Sequence, residues 1–127
     1  MSLAGSAVTF ALPVEDLDRA KKFYAESLGL DFTGTNIEGS PTFALGSGAE
    51  LMLLARPGGQ RSESTAMTWA VDDVTQQVKE LEAAGVTFED YDTEYLTTVD
   101  HIAEFEGQKA AWFLDPDGNV LCLHQDA

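Results

Sequence analysis

Val14-Glu15-Asp16-Leu17, close to the start of the chain, returns as Val71-Asp72-Asp73-Val74 in its second half. A short apolar stretch precedes each copy, Val8 to Leu12 in one and Met67 to Ala70 in the other. A helical period follows each. Leu17, Ala20, Phe23, Tyr24 and Leu28 recur on one helix face, as do Val74, Val78, Leu81 and Ala84. Both periods stop at a glycine, in Leu28-Gly29-Leu30 and Ala84-Gly85-Val86, as helices do when the next residue must turn left-handed. An apolar strand is expected after each, around Phe32 and Phe88. Asp16 and Asp73 stand where N-caps are needed, and Gln76 completes the pattern of a capping box with Asp73. Their first reading is therefore capping, not chemistry.

The remainders of the two copies also match. Phe43-Ala44-Leu45, Gly46-Ser47-Gly48 and Glu50 to Leu54 read as strand, turn, strand. Ala111 to Leu114, Asp115-Pro116-Asp117-Gly118-Asn119 and Val120 to His124 read the same way, with proline and glycine where a tight turn needs them. The predicted organisation is one domain over residues 1–127 built from two βαβββ modules, 8–56 and 65–125. Residues 57–64, rich in Gly and Ser, are the expected linker. Residues 92–107 have no clear period and are a candidate lid.

Composition bounds the function. At 127 residues the chain is about one domain long. With 44% hydrophobic and 23% charged residues it is too apolar for a disordered acidic chain. The net charge of −15 repels phosphate backbones and anionic membranes, so neither nucleic acid nor membrane is an expected partner. The same charge attracts a cation over long range. One cysteine, Cys122, rules out an internal disulfide framework and any multi-cysteine metal site. No basic segment leads into an apolar one at the start, and no apolar run approaches the ~20 residues of a membrane helix, so the expected location is the cytoplasm.

The strand ending in Val14-Glu15-Asp16-Leu17, with Phe23-Tyr24 and Leu28-Gly29-Leu30 after it, resembles the opening of the vicinal oxygen chelate superfamily. Trp112-Phe113-Leu114-Asp115-Pro116-Asp117-Gly118-Asn119-Val120 resembles its C-terminal hairpin. That superfamily includes glyoxalase I, the bleomycin resistance proteins and the extradiol dioxygenases. The resemblance covers residues from about Val8 to Gln125 and is closest to small stand-alone glyoxalase-like proteins. It implies an α+β fold in which the two modules form a half-barrel cup around a small ligand, in a homodimer.

Metal-dependent members supply four His, Gln or Glu ligands from four strands. The resemblance puts the corresponding positions at Thr9, Met52, Ala66 and Cys122. Ala66 cannot bind a metal, Thr9 is a poor neutral ligand, and two soft sulfur atoms do not suit this chemistry. The expectation is a cup without metal or other cofactor. Glu50 lies two residues before Met52, so strand alternation puts both on one face. A register slip of two would make Glu50 a ligand; otherwise it is a carboxylate at the rim.

Alternation then sorts the candidate ligand-binding residues. Thr9, Glu50, Met52, Ala66, Thr68, Cys122 and His124 point into the cup, and Trp69 packs on the helix. If Leu114 pairs with Val120, Trp112 lies opposite Cys122; if Gly46 pairs with Ala49, Phe43 lies opposite Met52. Phe43 and Trp112 would then give one aromatic platform from each half. His101 is a candidate acid or base if the irregular segment folds over the cup, with Tyr91, Tyr95 and Glu104 beside it. The alternative for His101 is a surface histidine, and for Cys122 a buried inert thiol.

Three functions compete. The first is a metal-free binding protein for a small, partly aromatic molecule that can be cationic. The second is a glyoxalase-like lyase or isomerase, or a dioxygenase, acting on a small oxygenated metabolite with a metal or acid–base group at Glu50. The third is a non-catalytic interaction domain with a filled cup.

Overall fold

The computed structural model describes residues 3–56 and 64–126, which fold as two compact units, one in each stretch. The predicted linker lies outside the described residues except for Ser64. Among the described residues no helix is long and apolar enough to cross a membrane.

The first unit begins with a short 3-10 turn, Leu3–Gly5, and strand β1, Thr9–Val14. Asp16 then caps helix α1, Leu17–Lys22, its carboxylate accepting the N–H of Arg19 at 3.1 Å. The period through Leu28 reads as one continuous α-helix, but the α-helical turns end at Lys22. A π-type turn, Phe23–Ser27, carries on from there, with the N–H of Leu28 donating to the carbonyl of Phe23. The wider turn seats Tyr24, which is fully buried and packs on Phe43 at 6.1 Å between ring centres. Strands β2 (Asp31–Thr35), β3 (Pro41–Ala44) and β4 (Glu50–Ala55) follow. The sheet order is β1-β4-β3-β2. Only the β1–β4 pair is parallel, because the chain must travel through the helix and two strands before it returns to β1. Leu12, Val14, Phe43, Leu51 and Leu53 are buried on the helix side of this sheet.

The second unit repeats the arrangement. β5 (Thr65–Ala70), α2 (Val74–Ala83), β6 (Ala103–Phe105), β7 (Gln108–Leu114) and β8 (Val120–Gln125) give the sheet order β5-β8-β7-β6, with β5 and β8 parallel. Asp73 caps α2 through the N–H of Gln76 at 3.1 Å, but the Gln76 amide turns to Glu80 at 3.3 Å instead of closing the box. Val74, Val78 and Leu81 are buried on α2, as are Ala111, Phe113, Leu121 and Leu123 on β7 and β8. Each large apolar side chain so buried contributes about 1.5–3 kcal/mol relative to exposure. Gly29 and Gly85, the expected helix stops, have φ of +71° and +92°.

The strand expected at Phe88 is a single bridge to Phe113. The edge strand resumes at β6, inside the stretch that showed no period, and between them the chain makes an excursion. That excursion is stitched together internally. Tyr91 and Thr98 exchange hydrogen bonds, Thr93 closes a turn on Leu96, and Val99 and Ile102 bond each other in both directions.

Candidate functional site

Each sheet has one face packed under its helix and one face turned away from it, and most of the candidate residues lie on the second. In the first unit the register pairs Thr9 with Glu50, Ala11 with Met52, Thr42 with Met52 and Ala44 with Glu50. Thr9, Glu50 and Met52 thus share the face away from the helix. Phe43 does not. The β3–β4 turn closes with Leu45 opposite Ala49, which sets Phe43 opposite Leu51 instead of Met52. This one-residue difference corrects the expected placement. Phe43 is fully buried between Tyr24 and Phe32, at 6.1 and 5.7 Å.

In the second unit Leu114 pairs with Val120, so Trp112 lies opposite Cys122, and Thr68 is the parallel partner of Cys122. His124 joins the same face through a 2.7 Å contact between its Nδ1 and Thr68 Oγ1. Near the start of β5 a bulge at Ala66 interrupts the expected alternation. Thr65 pairs with Val120 and Met67 with Leu121, leaving Ala66 as the extra residue. Thr65, unnoticed in the sequence, accepts a hydrogen bond from Trp112 Nε1 at 3.2 Å. Tyr91 meets the Trp112 ring edge-on at 5.5 Å and 84°. Trp112 is therefore a fixed platform, with its polar atom tied down and Tyr91 standing at a right angle to it. Tyr91 was expected only as a companion of His101. Nothing local marks it as a wall of this corner, because the excursion that carries it has no period.

Burial pushes the Cys122 thiol above its ordinary value, opposed in part by hydrogen bonds from the Thr68 side chain and the Ala111 backbone. Its Sγ donates to the Leu123 carbonyl at 3.3 Å. A thiol held protonated is a poor nucleophile. Tyr91 is raised as well, by burial first and then by the nearby Glu89 and Cys122.

His101 lies elsewhere. Its ring stacks on Phe88 at 5.9 Å, and Phe88 packs on the helix-side residue Phe113. Nε2 meets Glu82 of α2 at 3.2 Å and Nδ1 meets Asp90 at 2.9 Å. This corrects the expectation of an acid or base beside the face that carries Trp112 and Cys122: His101 fastens the excursion to the helix side. It does so in a strained position. Asp100 and His101, at φ +53° and +73°, form the centre of the Val99–Ile102 turn, a conformation that favours Asn-Gly. Tyr95, 86% exposed, stands at the tip of the neighbouring turn, and Glu104 is exposed on β6.

The residues present do not fit the metal of the family's enzymes. Glu50 is a single carboxylate whose register partners are Thr9 and Ala44; Met52 sulfur accepts from Asn36; Thr65 accepts from Trp112; Cys122 keeps its proton. Among the described residues no group of three or more His, Cys, Asp or Glu could hold a metal ion.

The family model of the Glyoxalase/Bleomycin resistance protein/Dioxygenase superfamily matches residues 6–123. No curated protein matches the chain. Among solved structures, TnmS3, an antibiotic binding protein from Streptomyces sp. CB03234, is 26% identical with a TM-score of 0.69, and the match covers 100% of both chains. A glyoxalase/bleomycin resistance protein from the same Streptomyces is 28% identical with a TM-score of 0.66, covering 94% of this chain and 100% of that one. A lactoylglutathione lyase from Agrobacterium tumefaciens is similar in fold, at 20% identity and a TM-score of 0.70, over 95% and 93% of the two chains.

Proposed function

The chain belongs to the glyoxalase/bleomycin resistance protein/dioxygenase superfamily, and from that footing we propose that it binds a small, partly aromatic molecule without turning it over. The observation that carries the reading is the corner made by Trp112 and Tyr91. A fixed indole with a ring at a right angle beside it receives a planar ligand by stacking, with an edge contact to spare. The charge of −15 favours a ligand that carries a positive group. The similarity to a protein described as antibiotic binding supports the same reading. The raised thiol makes Cys122 a poor nucleophile, and His101 is held by Glu82 and Asp90 on the helix side.

Daunorubicin, a planar ring system bearing an ammonium group, is a direct probe. Calorimetric titration is expected to give saturable binding that weakens as salt rises, with the drug recovered unchanged. Trp112→Ala should weaken it about ten-fold, the worth of a stacked ring pair. Equal affinity in wild type and Trp112→Ala, or conversion of the drug, overturns the proposal.

A further inference from the structure

Across β5 and β8 of the second unit runs a chain of hydrogen bonds with a single direction. Cys122 holds its proton and donates it to the Leu123 carbonyl at 3.3 Å. Its sulfur then accepts from the hydroxyl of Thr68, the parallel register partner of Cys122. A hydroxyl has one proton to give. The Thr68 oxygen is therefore the acceptor in its 2.7 Å contact with His124, and Nδ1 of His124 is the donor. The network thus assigns the tautomer: neutral His124 carries its proton on Nδ1 and a lone pair on Nε2.

In this direction His124 does not take the Thr68 proton, so the two are not a nucleophile with its base. Nε2 is instead an acceptor on a half-buried ring, and it has no hydrogen-bond partner among the described residues. It belongs to the same sheet and the same face as Trp112. Cys122 lies opposite Trp112, and His124 is two residues further along β8, on the same side. The indole leans the other way, toward Thr65, whose register partner is Val120. Val120 and His124 are roughly 13 Å apart along the strand, with Cys122 between them. A ligand that stacks on the indole and crosses Cys122 therefore brings a short arm to Nε2.

We propose that His124 is a specificity-determining residue: its Nε2 accepts a hydrogen bond from the N–H of an ammonium group carried on a short arm of the aromatic molecule stacked on Trp112. The assignment deepens the binding reading above and rests on it. The charge of −15 attracts any cation and does not separate one that can donate from one that cannot. His124 does. It selects protonated primary, secondary and tertiary amines over quaternary ammonium ions of the same charge. Thr68 already holds the ring in place, so accepting the bond adds little ordering cost. A hydrogen bond to a charged group corresponds to about ten-fold in affinity.

The test uses two probes that differ in one group, dimethyl(1-naphthylmethyl)ammonium, which has an N–H, and trimethyl(1-naphthylmethyl)ammonium, which has a methyl in its place. Calorimetric titration at about pH 7.5, above the ordinary histidine value of ~6.5, should find the first bound about ten-fold tighter. Nitrogen-15 spectra of the histidine-labelled protein should show His124 protonated on Nδ1 and bare on Nε2, with the Nε2 resonance moved by the first probe and not by the second. His124→Phe keeps a flat ring on the strand but removes the acceptor, and should bind both probes equally. If wild type binds the two probes equally, if His124→Phe keeps the preference, or if Nε2 carries the proton, the assignment of His124 falls and the binding reading stands. If neither probe binds wild type at millimolar concentration, both fall.

Discussion

Replacing Asp115 by alanine should unfold the second unit far more readily than a turn substitution ordinarily does. The Asp115 carboxylate is 4% exposed and collects three N–H bonds: from the backbone of Asp117 at 2.9 Å, the backbone of Asn119 at 2.8 Å and the Asn119 carboxamide at 2.8 Å. Asn119 is itself 2% exposed, so two of these donors stay buried when the carboxylate goes. A buried donor left without a partner costs about 1–3 kcal/mol, while the more accessible Asp117 N–H can turn to water. The expected loss is about 3–5 kcal/mol, a large part of the ~5–15 kcal/mol that holds a domain together. For a chain of this size that corresponds to a fall in Tm of roughly 10–20 °C. Urea unfolding read by tryptophan fluorescence would report it, since Trp112 is on the hairpin that this turn closes and Trp69 stacks on Phe113 at 6.2 Å. Asp115→Asn keeps one acceptor oxygen and should lose about half as much. A loss below ~1 kcal/mol in Asp115→Ala would refute the reasoning, because three bonds to a buried carboxylate cannot be worth so little.

Three other outcomes are expected. Cys122 and Tyr91 both hold their protons more tightly folded than unfolded, so the native state binds more protons above the ordinary values of 9.0 and 10.0. Stability should therefore decline as pH rises through that range, and Cys122→Ala should flatten the first part of the decline, measured as urea midpoints at successive pH values. Because His101 is held at φ +73° and pinned by Glu82 and Asp90, His101→Gly should be more stable than His101→Ala by about 1 kcal/mol, and neither should change daunorubicin affinity in the same calorimetric titration. A native mass spectrum of protein purified without added metal or chelator should show a dimer with no stoichiometric divalent metal; one bound metal per chain would overturn the reading of the donor set.

Local signals settled much of this protein. The twin Val-x-Asp segments, the aspartate caps and the glycine stops define two modules because each depends on a few neighbouring residues and on backbone sterics. Asp115-Pro116-Asp117-Gly118-Asn119 is equally self-contained, and it determines the β7–β8 register that sets Trp112 opposite Cys122. Tertiary structure decided what depended on a single residue of register or on a partner distant in sequence. The turn through Gly46–Gly48 closes one residue differently from expectation and sends Phe43 to the helix side. The bulge at Ala66 passes the contact with Trp112 to Thr65. Strand alternation has a period of two, so each such step moves a side chain to the opposite face, and no composition or spacing announces it. His101 went to Glu82 and Asp90, and Asn36 to Met52, because folding brought those groups within hydrogen-bond reach. Pairings of that kind belong to the packed chain, where the distance between two side chains no longer follows from the number of residues between them.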